Sequence, residues 1–416
     1  MSPALHIALR FISQRKRSIF VSLLGITCGV ALFICTQAQT QGFEKFYIQT
    51  VLGTKGAVLV ADRFQERYSG GFGLSNDGMV TVEGVQPRRY EEGITNPDQM
   101  MRAIRQFSDV IACTPVLEDN VTITTNDFSH ELSRLLGIDL DSELVTTDLK
   151  KQLTAGDLGD FRTQPRGVLL GSILANNLRV KVGDTISIAA TTGDPLPFRV
   201  SGIVQTGDNL LDERRAYVHR RTAENLLGKP GTASYIIVKM RDPERAPQLA
   251  DRLEEVLGHR ARSWQERAAG NLQIFRALRV SAAVTVAAII ALAGFGIFNV
   301  LTLMILDKMH DIAILRSMGY RRNDISAIFL WQGLVVAALG SIFGCGLGAL
   351  LTYLVSRIPV RVRGFFSTDH FVMEWTWRHY VAGIVIAFLA VLVASFFPSR
   401  RAARLAPVAV LRGSGQ

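Results

Sequence analysis

The chain has 416 residues, 48% of them hydrophobic and 20% charged, with a formal net charge of +10. Its mean hydropathy of +0.22 is high for a chain with that many charges, so the apolar residues must be concentrated in segments. The positive charge alone would point to nucleic acid, but its placement along the chain argues against such a partner and toward a membrane.

Residues 1–17 carry Arg10, Arg15, Lys16 and Arg17 and are expected to form a cytoplasmic tail. Residues 18–40 are the first of four apolar stretches, followed by 280–306, 325–356 and 381–397. As helices rising ~1.5 Å per residue, each can cross a hydrocarbon core of roughly 30 Å. A cleaved signal peptide is the competing reading of the first stretch. Its apolar run exceeds the about 7–15 residues of such peptides, and Thr36-Gln37-Ala38 is no clear A-x-A site, so a retained helix is expected. Gly25 and Gly29 form a G-x-x-x-G pair, the spacing that lets helix backbones approach in lipid.

Residues 41–279 read as a mixed α/β domain. Strands are expected at 56–61, 121–125, 185–190, 198–204 and 234–240, from their β-branched content. Helices are expected at 97–107, 171–179 and 243–257, where Ala250, Leu253 and Val256 keep three-residue spacing. Val182-Gly183-Asp184 is a turn signal, and the Asp- and Thr-rich stretch 121–160 is expected as a second lobe.

Cys28, Cys35 and Cys345 lie in spans, which leaves Cys113 alone in the domain without a disulfide framework or metal cluster. The histidines and serines form no triad or metal spacing; His310 and His370 read as solvated loop residues. Gly53-Thr54-Lys55-Gly56 has the residue types of a phosphate-binding loop without its spacing. The chain is read as a non-enzyme that holds no cofactor of its own.

Residues 307–324 join the second and third spans. Ile312 and Leu315 are three apart, and Ile314 and Met318 four apart, which predicts a two-turn amphipathic helix. Lys308, Asp311 and Arg316 supply its polar positions, Gly319 its C-cap, and Asn323 a cap for the next helix. Such a helix suits a protein partner or the lipid headgroups; a connector without a partner is the other reading. In the third span Gly340, Gly344 and Gly348 repeat along one face, fitting either packing within the chain or a subunit interface.

Residues 357–380 are expected as an outer loop and 398–416 as a cytoplasmic tail. Three basic groups fall on one side of a four-span arrangement: the N-terminal tail, Lys308 with Arg316, Arg321 and Arg322, and Arg400 with Arg401, Arg404 and Arg412. Arg357, Arg361, Arg363 and Arg378 oppose this, partly offset by Asp369 and Glu374, while Trp375, Trp377 and Tyr380 read as an outer interfacial anchor. The fold class expected is an α-helical membrane protein with four transmembrane helices and a large extracytoplasmic α/β domain between helices 1 and 2. No Lys, Arg, Asp or Glu sits at mid-depth in a span, which argues against a proton relay or ion path.

Several segments resemble the permeases of lipoprotein-releasing ABC transporters, the LolC/LolE type. They are Gly42-Phe43-Glu44-Lys45 followed by Val51-Leu52-Gly53, the Gly171 to Asp184 block, Phe198 to Ile203, and Asn271 to Leu278. The strongest is DKMHDIAILRSMG, Asp307 to Gly319. The resemblance covers nearly the whole chain and extends to the superfamily of the macrolide exporter MacB and the cell-division permease FtsX. It implies that Asp307 to Gly319 is the coupling helix that docks on a cytoplasmic ABC ATPase. A fused ATPase ahead of the first span, as in MacB, is not expected here, so ATP would be bound by a separate subunit. The resemblance also implies a second permease copy or paralogue, a periplasmic lipoprotein carrier, membrane lipids around the spans, and mechanotransmission of ATPase closure to the outer domain. A MacB-like efflux permease and a membrane-anchored binding or signalling protein are the alternatives.

Overall fold

The computed structural model describes residues 16–62, 93–125, 130–191, 193–359 and 371–404. Arg10, Arg15, Arg361, Arg363, Asp369, His370 and Arg412 lie outside the described residues. The chain divides into two compact units, one built on Phe46–Leu272 and one on the segments before and after it.

Among the described residues, five helices form the second of these units: α1 (Lys16–Lys55, its residues up to Lys45), α2 (Ala269–Asp307, from Gln273), α3 (Met309–Ser317), α4 (Arg322–Ser356) and α5 (Trp377–Arg404). All but α3 are long and apolar enough to cross a membrane. Each runs past its apolar stretch, α1 and α2 most of all. Gln39, Gln41, Glu44 and Lys45 are good helix formers, so nothing stops α1 where its apolar run ends. Ile26, Val30 and Ile34 of α1 meet Leu301 and Met304 of α2, Ile328 and Phe329 of α4, and Val391 of α5 in one buried core.

The glycine rows explain how these helices come close. A Cβ on Gly340, Gly344 or Gly348 would lie 2.9, 2.7 or 3.1 Å from Ile26, Val30 or Ile34 of α1. On α1 itself, a Cβ on Gly25 or Gly29 would lie 3.0 Å from Ala293 or Ile290 of α2. Of the two readings left open by the sequence, both rows therefore serve packing within the chain. The Thr27 hydroxyl adds a hydrogen bond across to the Gly340 carbonyl at 3.3 Å.

In the α/β unit the strands are β1 (Val58–Ala61), β2 (Ile94–Thr95), β3 (Val110–Thr124), β4 (His130–Ile138), β5 (Leu153–Gly156) and β6 (Gly167–Gly171). They continue with β7 (Thr185–Ala190), β8 (Leu196–Val204), β9 (Arg215–His219), β10 (Thr232–Ala233), β11 (Tyr235–Met240) and β12 (Arg260–Ser263). β3, β4, β9, β6, β8 and β7 pair in that order, and β7 returns to β3, closing a ring of strands. β11, β1 and β12 extend from β3 on the other side, β5 pairs with β8, and β2 pairs with β10.

Strand alternation sorts the residues to the two faces of the ring. Val121, Ile123, Leu135, Val168, Ile186, Phe198 and Val218 belong to one buried cluster. Leu136, Ile138 and Tyr217 turn to the opposite face, where Leu140, Leu149 and Phe161 from short helices cover them.

Several expectations are corrected here. Residues 121–160 are no separate lobe: 121–125 ends the long β3, which pairs with β4 and β7 inside the same compact unit. The strand expected from Gly56 begins at Val58, because Gly56, at φ +59°, still belongs to the turn ending α1. The helices of 97–107 and 171–179 are shorter, Pro97–Ile104 and Ser172–Asn177, and that of 243–257 is a 3-10 turn followed by Ala246–Leu257. Its buried stripe is Ala246, Leu249, Ala250 and Leu253, while Val256 is 65% exposed, since strict three-residue spacing drifts off a 3.6-residue period. Cys113 is buried against the Met101 carbonyl, and burial pushes its thiol up. His310 is exposed as expected but sits on α3, not in a loop.

Candidate functional site

The segment from Asp307 to Gly319 folds as expected into a short helix. Asp307 ends α2, Lys308 is the N-cap position of α3, and Met318 its C-cap. Lys308 Nζ reaches Asp311 Oδ2 at 2.9 Å one turn on. Gly319 adopts φ +97°, and the Gly319 and Tyr320 N–H groups donate to the Arg316 and Leu315 carbonyls at 3.2 Å, which closes the helix and reverses the chain. The next helix is capped differently from the expectation. Arg321, not Asn323, is its N-cap, and the Asp324 carboxylate accepts the Arg321 N–H at 2.9 Å.

The apolar positions of α3 do not form one stripe. Ile312 is 2% exposed and sits in the helical core, with Leu315 and Tyr320 packed against the same cluster. Ile314 and Met318 are 44% and 73% exposed. Helical spacing accounts for the division, because positions 312 and 315 share one side and 314 and 318 another. The inward pair fixes α3 to the bundle. The outward pair, with Asp311 and Arg316 only part-buried, offers a small apolar surface framed by charge.

A second constellation lies at the other end of α1, where the residues quoted only for their resemblance acquire separate physical roles. Gly42 lies under the backbone of Val372 and Met373. Phe43 packs edge-on against Phe371 with ring centroids 6.0 Å apart. Glu44 is ion-paired with Arg279 of α2, and Lys45 Nζ donates to both Glu374 oxygens at 2.9 and 3.1 Å. The Glu374 N–H donates to the Ala38 carbonyl at 3.0 Å, so residues 371–374 run along α1. Sequence reasoning gave these residues no role, because the partners are more than two hundred positions away.

A polar residue inside the bundle also escaped it. Gln332 of α4 is 1% exposed, and its amide donates to the Met304 sulfur of α2 at 3.0 Å. A search of the sequence for charges in the spans passes over a neutral amide.

Among the described residues no group of His, Cys, Asp or Glu could hold a metal. The two sites described are an apolar surface on a short helix and a junction at which α1 is ion-paired with α2 and with the segment ahead of α5.

Residues 19–256 match the MacB-like periplasmic core domain family, and residues 283–407 the FtsX-like permease C-terminal family. The chain is 23% identical to the lipoprotein-releasing system transmembrane protein LolC of Xylella fastidiosa, over 98% of each chain. It is 23% identical to LolE of Haemophilus influenzae over 94% of this chain and 93% of that one. With the macrolide export ATP-binding/permease protein MacB of Acinetobacter baylyi it shares 22% identity over 99% of this chain, but only 59% of the relative. The chain belongs to the MacB/FtsX superfamily of ABC transporter permeases, and its similarity within that superfamily runs along the full length of the LolC/LolE type.

Proposed function

We propose that this chain is the permease subunit of a mechanotransmission ABC transporter that releases lipoproteins from the inner membrane. In this reading both termini and α3 lie in the cytoplasm and the α/β unit in the periplasm, which the positive-inside distribution of Lys and Arg supports. A separate ATPase docks on the outward side of α3, through Ile314 and Met318. Closure of the ATPase moves α3, and the helices that share its core carry the motion toward the periplasm. A second permease copy or a paralogue completes the membrane part, and a soluble periplasmic carrier receives the acylated client.

The observation that carries this reading is the similarity to a lipoprotein-releasing LolC over 98% of both chains, against 59% of the MacB relative. The anchoring of α3 through Ile312 and Leu315 supports it, because a docking helix must be held firmly by the bundle it moves. The test is purification of the chain from its native membrane in mild detergent, with identification of what accompanies it. An ABC ATPase and bound lipoprotein are expected. An ATPase with amphiphilic drugs or peptides in place of lipoprotein would move the reading to efflux. No ATPase at all would leave an anchored binding or signalling protein.

A further inference from the structure

A buried polar group sits inside the apolar bundle, and a small cavity opens beside it. Ser22 of α1, Leu301 of α2, and Gln332, Gly333 and Val336 of α4 are among the residues lining this cavity. All five lie within the apolar stretches read as spans. Leu301 and Val336 also belong to the core in which Ile312 of α3 is buried, so the cavity borders the packing that holds α3. It leaves about 10 Å³ for the centre of a water molecule, which is the room that one water needs.

Gln332 has one polar atom left to place there. Its amide nitrogen donates to the Met304 sulfur at 3.0 Å, and Met304 is not among the lining residues. Its Oε1 is buried without a hydrogen-bond partner among the described residues, on a side chain 1% exposed. An amide oxygen taken out of water and left unpaired is unfavourable. Ser22, 5% exposed, brings a hydroxyl to the same cavity. A helical serine that donates to a carbonyl one turn back keeps lone pairs with which to accept.

These two groups select the ligand. Both are neutral, and among the described residues no Lys, Arg, Asp or Glu lines the cavity. A cation there would stand without a counter-charge inside the hydrocarbon, which is costly. A lipid chain is too large for the space and would leave the amide oxygen unpaired. Water fits the volume and donates to two acceptors at once.

We infer that Gln332 and Ser22 bind a single water molecule, which bridges α1 to α4 within the helical unit. The Gln332 contact with Met304 extends the bridge to α2. Three helices are thus clamped by neutral polar contacts beside the core that anchors α3.

The test is a structure of the full chain in lipid nanodiscs at a resolution that shows ordered waters. A density peak is expected about 2.7–3.2 Å from both the Gln332 amide oxygen and the Ser22 hydroxyl. It should be lost in Ser22→Ala and in Gln332→Met, which keeps the length of the side chain without its amide. Thermal unfolding of the same variants gives a second readout. Each single change should lower Tm, and the double variant should melt no lower than the weaker single one, because both remove the same bridge. If Gln332→Met does not fold, Ser22→Ala decides. No peak in the parent, a peak that survives Ser22→Ala, or Tm losses that simply add in the double variant overturns the site.

Discussion

A Cβ on Gly42 would fall 2.2 Å from the carbonyl oxygen of Val372. The backbone ahead of α5 therefore rests directly on α1, and only glycine permits it. Gly42→Ala must push residues 371–374 away and disturb the contacts that Phe43 and Lys45 make with them. A loss of about 1–3 kcal/mol in stability is expected, the usual cost of overpacking. Lys45→Ala removes a pair whose lysine is 56% exposed and should cost less than about 1 kcal/mol. Denaturant unfolding in detergent measures both, and a Gly42→Ala variant as stable as the parent would contradict the junction.

The span glycines allow a comparison within one helix. A side chain at Gly344 collides with Val30 at 2.7 Å, whereas nothing lies within 4 Å of a Cβ at Gly346. Gly344→Val should reduce the amount of folded protein recovered from membranes and lower its Tm, and Gly346→Val should leave both near the parent values. Equal effects at the two positions would mean that α4 does not pack on α1 through this face.

Glu143 gives the α/β unit a pH dependence of defined sign. Burial raises its carboxyl to about 7 from a reference of 4.5, against opposing contributions from the Thr147 hydroxyl and Arg215. The folded chain then binds more protons than the unfolded chain between these values. Its contribution is complete below about pH 4.5 and is lost as pH rises through 7. The loss is on the order of 3 kcal/mol. Unfolding followed from pH 5 to 8 should show stability falling with pH, and Glu143→Gln should flatten that slope. An unchanged slope in Glu143→Gln would contradict the assignment.

The division of α3 into two sides predicts opposite phenotypes for similar changes. Met318→Asp and Ile314→Asp alter exposed positions and should leave the chain folded while weakening ATPase association at least tenfold. Ile312→Asp puts a carboxylate into the helical core, where burial of an unpaired polar group costs several kcal/mol, so about 3 kcal/mol or more of stability should be lost. Pull-down and thermal unfolding of the same preparations separate the two. ATPase binding that survives Met318→Asp and Ile314→Asp together would remove the docking surface from this helix.

The long helices were legible because apolar run length is a one-dimensional signal, and so were α3 and the turn at Gly319, which depend on neighbours within a few residues. What the sequence hid is non-local. The ring closes only because β7 pairs with both β3 and β8, and no periodicity within β7 announces either partner. The glycine rows could be read as close-packing faces, but not against which helix, until Ile26, Val30 and Ile34 were seen beside them. Which of Ile312, Leu315, Ile314 and Met318 points outward was equally hidden, since the bundle and a partner both want apolar contact.

Release of an acylated client tests the proposed role most directly. The chain is reconstituted in proteoliposomes with its co-purified ATPase and companion permease, a triacylated lipoprotein, ATP and a soluble periplasmic acceptor. Acyl chains gain about 0.8 kcal/mol per buried CH₂, so the client should stay in the bilayer until acceptor and ATP are both present and then appear in solution. Removing its acyl chains should abolish ATP-dependent transfer. Transfer that is indifferent to acylation, or ATP hydrolysis stimulated only by small amphiphilic drugs, would contradict lipoprotein release and leave an efflux permease in its place.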